Sequence, residues 1–120
     1  MRTETFIKLA APAAIAATTT GTAVEISDLT GNGYAVLNSA ATGGAGMTSD
    51  VKIQHSDDGS TNWTDSGFAF DQVTNAAASY QAKFISLDQF KKFVRVVNTL
   101  AGTTPTVVYA VELVGTKMSQ

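Results

Sequence analysis

Residues 50–70, Asp50-Val-Lys-Ile-Gln-His-Ser-Asp-Asp-Gly-Ser-Thr-Asn-Trp-Thr-Asp-Ser-Gly-Phe-Ala-Phe70, read as a strand, a tight turn and a returning strand. Val51, Ile53 and His55 alternate with Lys52, Gln54 and Ser56, the period-two pattern of a half-buried strand. Asp57-Asp58-Gly59-Ser60 supplies the turn, because Asp carboxylates accept from nearby backbone N–H groups and Gly takes positive φ without steric cost. Trp63 opens the return, and Phe68 and Phe70 continue it on one face. Such a hairpin is scaffold rather than catalyst.

The same reading extends in both directions. Thr22 to Leu29 is predicted as a strand, with Val24 and Ile26 on one face and Glu25 and Ser27 on the other. Thr30-Gly31-Asn32-Gly33 predicts a type I′ hairpin turn, Tyr34 to Ala41 the returning strand, and Thr42 to Ser49 a Gly-rich loop. Downstream, Ser79 to Ser86 is a strand, Leu87 to Lys91 a short helical turn, and Phe93 to Thr99 a strand. Ala101 to Pro105 turns the chain into a last strand at Thr106 to Gly115. About seven to eight strands without a long helical pattern predict an all-β antiparallel sandwich or barrel, of which the sandwich is taken as the expectation.

A chain of 120 residues makes one domain. Hydrophobic residues make up 44% and charged residues 15%, the latter well below the roughly one quarter usual for soluble domains. The surface is therefore rich in Thr, Ser, Ala and Gly, a composition that suits burial against protein neighbours. A net charge of −2 argues against nucleic acid as the main partner, since phosphate recognition needs a clustered positive field. There are no cysteines, hence neither disulfides nor thiolate metal sites, and no apolar run is long enough for a membrane-spanning helix. Arg2 and Lys8 precede the Ala-rich stretch Leu9 to Ala17, which imitates a secretion signal. That stretch is short, and residues 1–20 are read as an extended N-terminal arm ahead of a single sandwich domain at 21–120.

The last strand is apolar on both faces. Val107, Tyr109, Val111 and Leu113 alternate with Val108, Ala110 and Val114, interrupted only by Glu112. Such a strand is either central in the core or covered by another chain.

Residues with chemical potential are few. His55 is the only histidine and shares the Val51/Ile53 face, where a hydrogen-bonded core or rim role is the expectation; no second His or Cys completes a catalytic pair or zinc set. Asp57 and Asp58 lack the spacing of a calcium loop and read as turn caps. Asn62-Trp63-Thr64 is formally a glycosylation sequon, and its match is read as coincidental. Trp63 would serve as a sugar platform if exposed, and packing over its own hairpin is the simpler reading. Lys91, Lys92 and Arg95 form a small basic cluster suited to a solvated edge or ion pairs between subunits. No catalytic, cofactor-binding or metal-ligating set emerges, and an enzyme is the least favoured class.

Two resemblances add to this. Ser56-Asp57-Asp58-Gly59-Ser60-Thr61-Asn62-Trp63 resembles the Asp-box hairpin of sialidases and other β-proteins, departing at Ser60, which replaces Gly, and Asn62, which replaces Thr. That motif folds a hairpin and performs no chemistry. Tyr-Ala-Val-Leu-Asn-Ser at 34–39, a Gly-rich loop, residues 50–60, Trp63, Phe-Val-Arg-Val-Val at 93–97 and Gly-Thr-Thr-Pro at 102–105 together resemble small head decoration, or cement, proteins of tailed bacteriophages. The resemblance spans roughly residues 22–117. It implies a jelly-roll-like sandwich, often a homotrimer, made in the host cytoplasm and clipped onto the capsid surface with the major capsid protein as partner. It implies no cofactor, no catalytic residue, no direct nucleic-acid contact and no membrane. On this basis the expected interface is Phe6, Ile7, Leu9 and Ile15 of the arm, Trp63, and Tyr109, Val111 and Leu113 of the last strand. Other virion roles (a head–tail connector or tail protein) and a carbohydrate-binding module for host attachment are the alternatives.

Overall fold

In the computed structural model, residues 2–26, 29–40, 45–75 and 77–118 are described. Among them run ten strands: β1 Arg2–Ile15, β2 Thr19–Thr20, β3 Val24–Glu25, β4 Leu29–Ala40, β5 Ala45–Ser56, β6 Thr64–Ala69, β7 Val73–Thr74, β8 Ser79–Ser86, β9 Phe93–Thr103 and β10 Val107–Met118. A 3₁₀ turn at Leu87–Gln89 joins β8 to β9 where the short helical turn is predicted.

The strands form two antiparallel sheets. The first has the order β1-β10-β4-β8; the second has β2-β9-β5-β6, with β3 also on β9 and β7 also on β5. The pairings nest: β1 with β10, β2 and β3 with β9, β4 with β8, and β5 with β6. A chain whose first part pairs with its last, and so on inward, is one long hairpin. Rolling that hairpin over brings β10 beside β4 and β9 beside β5, which is the jelly roll. The fold is thus the all-β sandwich that the strand pattern predicts.

Alternation packs the space between the sheets. Leu37 on β4, Met47 and Ile53 on β5, Val96 on β9, and Val111 and Leu113 on β10 are fully buried there. Each such side chain contributes roughly 1.5–3 kcal/mol through its removal from water. The one orphaned polar atom among buried side chains described is Asn98 Nδ2; its Oδ1 accepts from Ser49 Oγ at 2.7 Å. Burial raises the pKa of the neighbouring Tyr109 phenol, and the Asn98 side chain opposes that rise.

Three expectations are corrected. Residues 2–15, expected as part of an arm, form β1 and pair along β10 from Arg2↔Met118 to Ile15↔Val107. β10 has two open edges, and β1 satisfies one of them while turning Leu9 into the core. Pro12, with no N–H to donate, falls within the register shift between Ala10 and Ala13 on this edge strand. Second, Thr30-Gly31-Asn32-Gly33 is no hairpin turn, because β4 runs through it. The register moves from Tyr34↔Val114 to Thr30↔Thr116, so β4 bulges, with Gly31 at φ +75°. A Cβ at Gly33 would run into the Val114 carbonyl oxygen, so the glycine serves close approach of two strands. Third, the strand predicted at 22–29 shrinks to Val24–Glu25, and the Gly-rich loop ends sooner because β5 already begins at Ala45; residues 41–44 lie outside the described residues.

Candidate interaction surface

Period two gives each sheet an inner and an outer face, and the two outer faces differ in chemistry. On the first sheet, Tyr34, Val36, Asn38 and Ala40 of β4 point outward, opposite the buried Ala35, Leu37 and Ser39. Their neighbours in register are Phe84, Ala82 and Tyr80 on β8 and Val114, Glu112, Ala110 and Val108 on β10. Tyr34 is 47% exposed, Tyr80 70%, Phe84 66% and Val108 37%, so bulky apolar groups stand in water across the sheet. Tyr34 and Phe84 meet edge to face at 5.6 Å. Beside them a shallow cleft of about 280 Å³ is lined by Val36, Asn38, Tyr80, Ala110 and Glu112.

β8 is the informative strand, because it is turned inside out. Its aromatic side chains face solvent, while Gln81 and Lys83 share the inner side with Ile85. Those polar groups reach the sandwich rim. Gln81 Oε1 accepts from the Asp71 N–H at 2.8 Å, and Lys83 Nζ lies 2.9 Å from Asp71 Oδ1. The sequence signal was available in Tyr80, Ala82 and Phe84 at spacing two. Sequence reasoning passed over it because the larger apolar set of a strand normally faces the core.

The outer face of the second sheet is polar and bonded to itself. Asp65 takes Lys52 at 3.0 Å and Gln54 at 3.1 Å, which together hold its carboxyl below the usual carboxylate range. Gln54 in turn accepts from Arg95 Nε at 2.9 Å, and the Arg95 guanidinium lies 4.3 Å from the centre of the Trp63 ring. Trp63 is half-buried, and the partner seen at its ring is Arg95 of β9 rather than its own hairpin, which the simpler reading expected. The basic cluster is divided among intrachain partners: Lys91 lies 3.7 Å from Asp57 and Lys92 3.6 Å from Glu25.

The hairpin turn is built around one carboxylate. Asp58 accepts from the Thr61 hydroxyl at 2.6 Å, the Thr61 N–H at 2.9 Å and the Ser60 N–H at 3.0 Å, and Ser56 Oγ donates to it at 2.9 Å. Those donors, Thr61 first, hold its pKa well below the usual carboxylate range. Its role is that of a turn cap. His55 accepts from the Lys91 N–H at its Nδ1 at 3.2 Å and packs against Phe90; burial and then Lys91 lower its pKa, with Asp57 opposing them. Among the described residues no group of His, Asp and Glu gathers as a metal site.

The expected interface residues separate. Leu9, Tyr109, Val111 and Leu113 are buried in the chain's own core, and Ile7 and Ile15 pack against it. The first four face the chain's own second sheet, while Ile7 and Ile15 are only partly covered. Phe6 pairs by its backbone with Val114, and its side chain lies outside the described residues. The apolar surface left for partners is instead the opposite side of the same strands.

No family model and no curated protein matches the chain. Two solved structures share its fold. A structure of the Gx strain of infectious bursal disease virus aligns over 98% of this chain and 33% of that one, at 12% identity and a TM-score of 0.60. The VP2 subviral particle of infectious bursal disease virus aligns over 97% of this chain and 33% of its own, at 14% identity and a TM-score of 0.54. The chain thus spans about a third of the length of the structures it matches, and the likeness is one of fold.

Proposed function

We propose that the chain is a virion structural protein that decorates and stabilises a tailed-phage capsid, binding its outer surface across joints between capsomers. The carrying observation is the apolar, aromatic outer face of the β1-β10-β4-β8 sheet of the jelly roll. A protein that works by burying area needs such a face; larger exposed apolar patches mark interaction sites. The fold likeness to a viral particle protein and the resemblance of residues 22–117 to decoration proteins support the same reading. The major capsid protein is the partner, and a homotrimer the favoured form. Mixing the protein with shells that lack it and counting bound copies after sedimentation tests this. Saturation in the hundreds of copies is expected, as symmetry-repeated joints require. A dozen or fewer would make it a connector or tail component, and absence of binding would end the capsid reading.

One observation favours a second reading, a carbohydrate-binding module. Tyr80 borders the cleft that also holds Asn38 and Glu112, a pairing of stacking surface with polar groups that suits a sugar ring. Sugar titrations followed by tyrosine fluorescence would detect it.

A further inference from the structure

We infer that the outer face of the β1-β10-β4-β8 sheet is covered by a second copy of this chain. The inference rests on the face that carries the proposed function and assigns it to contact between subunits, leaving attachment to a shell to the other surfaces of the assembly. β8 carries it first. A one-residue slip in its register would bury Tyr80 and Phe84 and expose Gln81 and Lys83. The chain instead keeps the aromatic set outside and secures the opposite register through Asp71.

Shape, size and charge then select the occupant. The Tyr34–Phe84 pair forms a knob, and the cleft between Val36, Tyr80, Ala110 and Glu112 lies next to it along the same strands. A two-fold axis lying in the interface and running across the strands, between knob and cleft, exchanges them and places each copy's knob in the other's cleft, as an isologous interface requires. Four strands about 4.8 Å apart and about seven residues of about 3.3 Å give a face of roughly 19 by 23 Å. Two such faces bury on the order of 1,000 Å² once side-chain relief is counted, the threshold for a specific interface. Lys8 and Glu112 stand opposite one another in register, one charge of each sign. They are neighbours on adjacent strands of one chain, so the face carries no net charge that would repel a second copy.

Sedimentation velocity over a concentration series reads the outcome, on wild type, Phe84→Asp, Tyr80→Asp, the milder Phe84→Ser and Tyr80→Ser, and Thr99→Asp on the other sheet's exposed surface. Wild type and Thr99→Asp should self-associate, and the position 80 and 84 variants should dissociate at least about tenfold more readily, with thermal melts unchanged at concentrations where all are monomeric. A wild type that stays monomeric throughout would overturn the inference, as would association indifferent to positions 80 and 84. Monomeric protein that loses shell binding on Phe84→Asp would assign the face to the shell, leaving the capsid reading intact. Association lost with Phe84→Asp in a protein that binds no shell would support the self-interface and remove the capsid reading.

Discussion

The two outer faces of this sandwich arise from the same alternation and have opposite chemistry. On the second sheet, Lys52, Gln54, Asp65, Arg95 and Trp63 are linked to one another, so their polar groups are answered within the chain. On the first, Tyr34, Tyr80, Phe84 and Val108 stand exposed around Ala82 and Ala110. A face that answers its own polar groups gains little from a partner. A face of bare apolar groups gains by every square ångström removed from water, at roughly 25 cal/mol per Å². The difference teaches which face the chain completes by itself and which it leaves apolar.

Mutations on either side of the first sheet should break that comparison most sharply. Leu113→Ala, on the inner face of β10, should cost about 2–5 kcal/mol in urea unfolding, because it leaves a cavity between the sheets. Tyr80→Ser, on the outer face, should change unfolding of the isolated chain by less than about 0.5 kcal/mol. Equal losses would mean that the outer face is packed in the monomer. Next in size, Gly33→Ala should destabilise by roughly 1–3 kcal/mol, since its methyl group meets the Val114 backbone and β4 must part from β10. Weakened amide protection confined to β4 and β10 would confirm the location.

On the polar side the effects are smaller. Asp58→Asn should lower the melting temperature at neutral pH by loosening the 57–63 turn. The sign of its pH dependence follows from the depressed pKa. The carboxylate's contribution is fully present above the unfolded value of about 4 and drains away as pH falls below it toward the folded value. Wild type should therefore lose its advantage over Asp58→Asn on acidification, and an advantage constant from pH 7 to 2 would contradict the capping role. Smallest of all, Arg95→Ala should cost about 0.5–1 kcal/mol through loss of its stacking on Trp63, with a red shift of the single tryptophan's emission.

Much of the fold was legible because strand periodicity is local. The hairpin at 50–70, the strand at Ser79–Ser86 and the turn at Leu87 follow from neighbouring residues alone. Asn32-Gly33 misled because the dipeptide suits a two-residue turn equally well as a bulge, and only the Val114 carbonyl on a strand some 80 residues away distinguishes them. Residues 2–15 were obscured by their likeness to a leader. Their alternation of Ile7 and Leu9 with Lys8 acquires meaning only once β10 presents an open edge. For β10, apolarity on both faces could not say which face the chain buries itself; the fold turns Tyr109, Val111 and Leu113 inward and leaves Val108 exposed.

The sequence by itself determined an all-β chain, its turn chemistry, a scaffold role for the Asp58 turn and the double apolarity of its last strand, because each rests on spacings of a few residues. The tertiary structure alone decided which β10 face meets the second sheet, that β8 shows its aromatic side chains to solvent, and that the N-terminal stretch belongs to the sheet. Those outcomes depend on register between distant strands, where a shift of one residue exchanges core for surface.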